Sequence, residues 1–166
     1  MAMLENKLKI LFRLDQEDWH GHATETLWAE HVEGSNWTRF TILNSPFLVT
    51  GLSFLDVVCA APRVEDHIFD FTSVAERCGH STYMLLVDDE DALACRDWRL
   101  LKTMGCFYES MHIDLTIGRK LLLSVDIPDL VDIAEAHAII ADGEAKGRWL
   151  YQVGDTTFTA GMLPIF

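Results

Sequence analysis

Hydrophobic and polar positions alternate through the first half of the chain. Leu8, Ile10 and Phe12 are interleaved with Lys7, Lys9, Leu11 and Arg13. A period of two marks a half-buried strand, here over 6–14. A polar loop, 15–22, follows. Thr26, Leu27, Trp28 and Val32 predict a second strand over 24–32, Glu33-Gly34-Ser35-Asn36 a turn, and 37–43 a third strand. Asn44-Ser45-Pro46 breaks it, 47–52 reads as a bent connection, and 54–60 and 67–74 supply two more strands. Five short strands joined by tight turns predict a small barrel or a strongly curled sheet.

The period changes in the second half. Residues 81–87 form an apolar strand. Asp88-Asp89-Glu90-Asp91 opens a predicted helix carrying Leu93, Ala94, Trp98, Leu101 and Met104 at spacings near one turn, with Gly105 as its stop. Residues 106–115 alternate again, with Phe107, Met111, Ile113 and Leu115 on the expected inner side. After Gly118, Leu121, Leu123, Val125 and Ile127 mark the next strand. Pro128 and Asp129 start a second predicted helix with Leu130, Ile133, Ala134, His137 and Ile140, ending near Gly143 or Gly147 before a last strand over 148–153. The order strand, helix, strand, strand, helix, strand is that of the split βαβ, or ferredoxin-like, unit. The expected fold class is α+β, with a five-stranded barrel-like part over 1–78 and a ferredoxin-like βαββαβ part over 79–155. An apolar tail over 156–166, closing on Met162-Leu163-Pro164-Ile165-Phe166, is expected to dock on the body.

Composition adds a core and a charge. Hydrophobic residues make up 49% of the 166, which excludes global disorder. Trp19, Trp28, Trp37, Trp98 and Trp149 are spread along the chain and are expected to be buried. Thirteen Lys and Arg face 26 Asp and Glu, a net charge of −13, carried by both halves. A field of that sign repels phosphate backbones and anionic membrane surfaces and speeds encounter with cationic partners. Display for solubility alone explains the same charge. Cys59, Cys78, Cys95 and Cys106 include no CxxC pair and read as buried free thiols of a reducing, cytoplasmic compartment. Met1 to Phe12 does not resemble a secretory leader, and no apolar run reaches the roughly 18 residues of a membrane span.

Short motifs then recur in a recognisable order: Glu25-Thr26-Leu27-Trp28-Ala29-Glu30, Asn44-Ser45-Pro46-Phe47, Gly51, Asp56-Val57-Val58, Glu76-Arg77, Gly79-His80-Ser81-Thr82, Met104-Gly105-Cys106 and Gly143-Glu144-Ala145-Lys146-Gly147-Arg148-Trp149. In this order they resemble a widespread bacterial domain-of-unknown-function family, over about residues 6–153. The resemblance implies a bacterial context and brings no activity or catalytic residues.

Candidate chemistry is sparse. His20, His22 and His31 offer imidazoles for a metal, but the spacing fixes no third ligand. Gly79-His80-Ser81-Thr82 places a histidine beside two hydroxyls, yet neighbours on an extended chain point to opposite faces, so His80 and Ser81 do not pair as base and nucleophile. Neither a dinucleotide fingerprint nor a P-loop, HExxH motif or paired-cysteine zinc spacing occurs. Neither a metal nor a cofactor is expected.

Acidic groups remain. Asp88, Asp89, Glu90 and Asp91 form the densest run, and capping needs fewer. Asp129, Asp132 and Glu135, at i, i+3 and i+6, are expected to form a stripe on the second helix. Asp15, Glu17 and Asp18 surround Trp19, which either anchors a partner or folds back into the core. These eleven residues are the candidate partner-binding set. The expected function is that of an immunity protein. Its partner would be a cognate basic toxin of the nuclease or base-modifying class, with no direct nucleic-acid contact. A ligand-binding sensor, with a concave pocket and convergent polar groups, is the alternative. An enzyme using His80 or His112 is the third reading.

Overall fold

The computed structural model describes residues 6–64 and 68–158. Five strands form a closed barrel: β1 (Lys7–Arg13), β2 (Thr24–His31), β3 (Arg39–Ile42), β4 (Val57–Pro62) and β5 (Ile68–Glu76). Neighbours pair antiparallel from β1 to β5, and β5 closes on β1 in parallel. Every second side chain points inward, so Leu8, Ile10, Phe12, Leu27, Ala29, Phe40, Ile42, Val58 and Ala60 share one core. Two register shifts between β4 and β5 add the local twist that closure requires.

The second sheet holds β6 (Ser81–Val87), β7 (Phe107–Leu115), β8 (Gly118–Ile127) and β9 (Leu150–Asp155), in the order β7-β8-β6-β9 with every pairing antiparallel. Helices α1 (Arg96–Met104) and α2 (Ile133–Ala145) make the two crossovers. The split βαβ order expected from the sequence is the order found. Tyr83, Leu85, Val87, Leu121, Leu123, Val125 and Ile127 face Trp98, Leu101, Ala136 and Ile140 of the helices. The central strands β6 and β8 are buried on both faces over most of their length, apolar toward the helices and partly polar, at Thr82, Ser124 and Asp126, on the other face. The Trp149 indole lies against the backbone of Gly143, where a Cβ would sit 2.1 Å from the ring. Its Nε1 donates to the Ile140 carbonyl at 2.8 Å.

Several expectations are corrected. The first predicted helix splits: Asp89 caps a 3-10 turn over Glu90–Ala94, extended Cys95 interrupts it, and Cys95 Sγ accepts from the Trp98 amide to start α1. Gly105 ends α1 at φ 109°, a backbone region that L side chains rarely adopt. The second helix begins at Ile133, after a turn closed by Val131 N–H on the Pro128 carbonyl, and Asp132 is its cap. Asp129 therefore precedes the helix, and the acidic stripe does not form. Trp98 and Trp149 are buried, whereas Trp19, Trp28 and Trp37 are exposed at the barrel surface. Phe107 is exposed rather than inward. All four thiols are free, with Cys106 buried and Cys78 exposed. From residue 159 on, the apolar tail lies outside the described residues. Among those residues no helix is long and apolar enough to cross a membrane.

Candidate functional site

The face of the second sheet turned away from the helices positions the site. Strand registry sorts its side chains into rows. Thr82 and Asp126 form the first row, Met84, Ser124, Glu109 and Gln152 the second, and Leu86, Leu122, Met111 and Leu150 the third. Asp88 follows at the end of β6, with Lys120 beside it. The face thus runs from polar to apolar along the strands.

The polar end is covered by the barrel side of the molecule, chiefly by the segment 43–56. Ser45 Oγ lies 2.6 Å from Ser124 Oγ, and Ser124 also donates to the Pro46 carbonyl. Ser53 Oγ bonds Thr82 Oγ1 at 2.7 Å and donates to Asp155 at 3.0 Å. The Glu25 carboxylate holds the segment in shape by accepting the amides of Phe47, Leu48 and Val49 at 2.8–2.9 Å. Asp56 accepts the amides of Ser53 and Cys78. Leu48 then packs on Met84, Ile113 and Leu122.

Beyond this cover the apolar end stays open. Trp19, Met84, Leu86, Leu115, Thr116, Ile117, Leu122, Leu150, Tyr151 and Gln152 line a groove of about 430 Å³. Trp19 is its roof, fixed by a hydrogen bond from Nε1 to Gln152 Oε1 at 2.7 Å. The loop that presents Trp19 is built by its own acids. Asp15 accepts the Glu17 amide, Asp18 accepts the Trp19 amide, and Gly21 turns at φ 68°. Trp19, Ile117 and Leu150 are 41%, 66% and 58% exposed.

All ten candidate carboxylates are exposed. Among the described residues, only Asp88 of the ten pairs with a Lys or Arg, namely Lys120. Two runs adjoin groove residues along the chain. Asp15, Glu17 and Asp18 surround Trp19, while Asp88 to Asp91 follow β6 beyond Leu86. Asp88 lies four residues past Met84, about 13 Å along an extended chain. The third group, Asp129, Asp132 and Glu135, follows β8 at the opposite end of the sheet, where Ile127 pairs with Ser81. It does not join the other two. No local pattern in the sequence marks the groove residues Leu86, Ile117 and Leu150, because they come from β6, the turn between β7 and β8, and β9, and each reads as an ordinary apolar position.

The histidines are also placed. His20 and His22 bond each other's backbone, and His31 stacks on Trp37 at the other end of β2. The three form no cluster. His80 Nδ1 lies 2.9 and 3.1 Å from the two Asp126 carboxylate oxygens, an arrangement in which the ring donates. The two residues are 46 apart in sequence, so no local motif signals the pair. Burial holds the Asp126 carboxyl above the usual range, against the His80 hydrogen bond. Burial likewise raises Asp56 and Glu109, against the amides on the first and Asn44 on the second. An acid-oriented imidazole is half of an acid–base site. The nearby hydroxyls are engaged elsewhere, Ser81 with Thr157 and Thr82 with Ser53.

These features define an α+β protein in which a closed barrel caps one end of an antiparallel sheet backed by two helices. The chain belongs to the family of the domain of unknown function DUF4265, whose model matches residues 25–151. Its fold is similar to that of a hypothetical protein from Neisseria gonorrhoeae, with a TM-score of 0.64 and 19% identity over 93% of this chain and 96% of that one. No curated protein matches the chain.

Proposed function

We propose that the chain is a bacterial immunity protein, cytoplasmic, that binds and neutralises a basic toxin domain acting on nucleic acid by occluding its active-site cleft. The observation that carries this reading is a net charge of −13 with nine of the ten candidate carboxylates free of any Lys or Arg partner among the described residues. Enzymes that act on DNA or RNA present cationic clefts, and carboxylates can stand in there for phosphates. A close, desolvated carboxylate–Arg pair contributes roughly 1.5–7 kcal/mol of coupling. The reading needs no cofactor and no catalytic residue. Its test is copurification with the basic protein encoded beside it, and survival of cells making both. A complex that weakens steeply with salt is expected. Failure to bind any basic protein encoded nearby overturns it.

The volume of the groove favours a second reading, a ligand-binding sensor, because about 430 Å³ lies within the range of small-molecule sites. A thermal-shift screen against amino acids, nucleotides and small apolar acids tests it, and stabilisation lost on filling the groove with Leu150→Trp would support it.

A further inference from the structure

The groove inverts the usual placement of surface. On one sheet face, the polar rows Thr82, Asp126 and Ser124 are buried, while the apolar row with Leu86 and Leu150 opens to solvent beside Ile117 and Trp19. An exposed, contiguous apolar patch rimmed by charge marks a docking surface. Its polar side chains are Thr116, Gln152, the Trp19 indole N–H and Tyr151; the Trp19 N–H and the Gln152 oxygen bond each other, and the Tyr151 ring stacks on Tyr83 at the helix side of the sheet. The groove therefore offers burial rather than hydrogen bonding. The carboxylates next to it along the chain are Asp15, Glu17 and Asp18, on the loop that carries Trp19, and Asp88, two residues past Leu86 and paired with Lys120. The nearby cations are few: Lys120 is paired to Asp88, and Arg119 stands opposite Asp114 in register.

We infer that this groove receives one large apolar side chain of the protein partner, from a segment that carries Lys or Arg on both sides of it. The inference rests on the immunity reading and names the contact that reading leaves open. Charge complementarity selects the occupant. A second copy of this chain brings its own −13 and is repelled, as are phosphates and anionic lipids. A cationic segment with an apolar centre satisfies both the rim and the floor. Trp19 is the anchor: its indole is exposed, its orientation is fixed by Gln152, and it loses little conformational freedom on binding.

The test uses the full chain and three synthetic peptides of one length. The first has a Leu-Phe pair flanked by Lys and Arg, the second has Ser-Ser in place of that pair, and the third keeps Leu-Phe with the cations replaced by Gln. Binding is read by Trp fluorescence and calorimetry. The first peptide should bind about tenfold or more tightly than either control. Leu150→Glu and Ile117→Glu, at exposed positions, should each weaken it about tenfold, and Glu33→Gln, exposed in the turn at the end of β2 away from the Trp19 loop, should leave it unchanged. Equal binding of the Ser-Ser peptide, or full binding by both Glu variants, overturns the inference. If Leu150→Glu and Ile117→Glu still neutralise the toxin encoded beside the chain, the groove contact falls and the immunity reading stands. If no such toxin is bound and only small apolar ligands occupy the groove, both fall.

Discussion

The two ends of one sheet face differ in chemistry and in cover. At the first, Thr82, Ser124 and Asp126 lie under the segment 43–56, and their polar atoms are met by Ser53, Ser45, the Pro46 carbonyl and His80. At the second, Leu86 and Leu150 run out from under that cover into a groove roofed by Trp19. A buried polar group costs free energy unless it is bonded, so the first end is specific: only a segment of matching donors and acceptors closes it. Apolar surface makes no such demand, and the second end accepts any side chain of suitable size. Some of the short motifs that carry the family resemblance, namely Glu25, Asn44-Ser45-Pro46-Phe47, Asp56 and His80, gather at the first end. Glu25, Ser45, Asp56 and His80 fasten the barrel to the sheet, whereas Cys106, Gly143 and Trp149 pack in the core on the helix side.

The largest expected effect breaks the fastening. Glu25→Ala strands three amides of 47–49 and should cost about 3 kcal/mol, read as a shift in the urea midpoint. Next, Ser124→Ala leaves Ser45 without its partner and should cost about 1–2 kcal/mol. The double variant with Ser45→Ala should cost less than the sum of the singles, because the orphaned hydroxyl is removed with its mate. If the singles simply add, the two hydroxyls are not coupled across the junction.

Acidity sharpens the comparison further. Burial raises the folded-state pKa of Asp126 above its ordinary 3.8. A raised folded pKa contributes stability that is complete below the unfolded value and is lost as pH rises through the folded one. Stability of the wild type relative to Asp126→Asn should therefore fall as pH climbs from 3.8, and level off once the folded carboxyl is ionised. Denaturation midpoints of the two proteins at stepped pH check this, and a flat difference would mean that Asp126 is not held protonated more tightly by folding. The smallest effect belongs to the groove. Leu150→Glu and Ile117→Glu should change stability by no more than about 0.5 kcal/mol, since both side chains are exposed in the free protein. A large loss at either position would show that the groove is part of the core and not an open surface.

Much of the fold was legible because strand periodicity is a local property. Leu8, Ile10 and Phe12 face inward as their alternation requires, and Leu121, Leu123, Val125 and Ile127 face the helices. Where the reading failed, a short-range polar group had won. Cys95 and Asp132 cap their helices later than the hydrophobic spacing implies, and Asp129 is left outside. The tryptophans were misjudged for a different reason. Burial depends on which neighbour arrives from elsewhere in the chain: Trp28 and Trp37 stand outside a barrel whose interior is already filled, and Trp19 reaches over β9 to Gln152. Part of the candidate site was visible in the loop of Asp15 to Trp19, but its floor was not.

The strands, the two helices, the barrel-then-sheet order and the excess of negative charge all follow from residue type and spacing along the chain. Long-range packing set the rest: that His80 meets Asp126, that Trp19 reaches Gln152, and that the apolar end of the sheet is left uncovered. Those outcomes depend on strand order and on how far the segment 43–56 reaches across the face. They are set by packing between residues far apart in the chain, which no local pattern encodes.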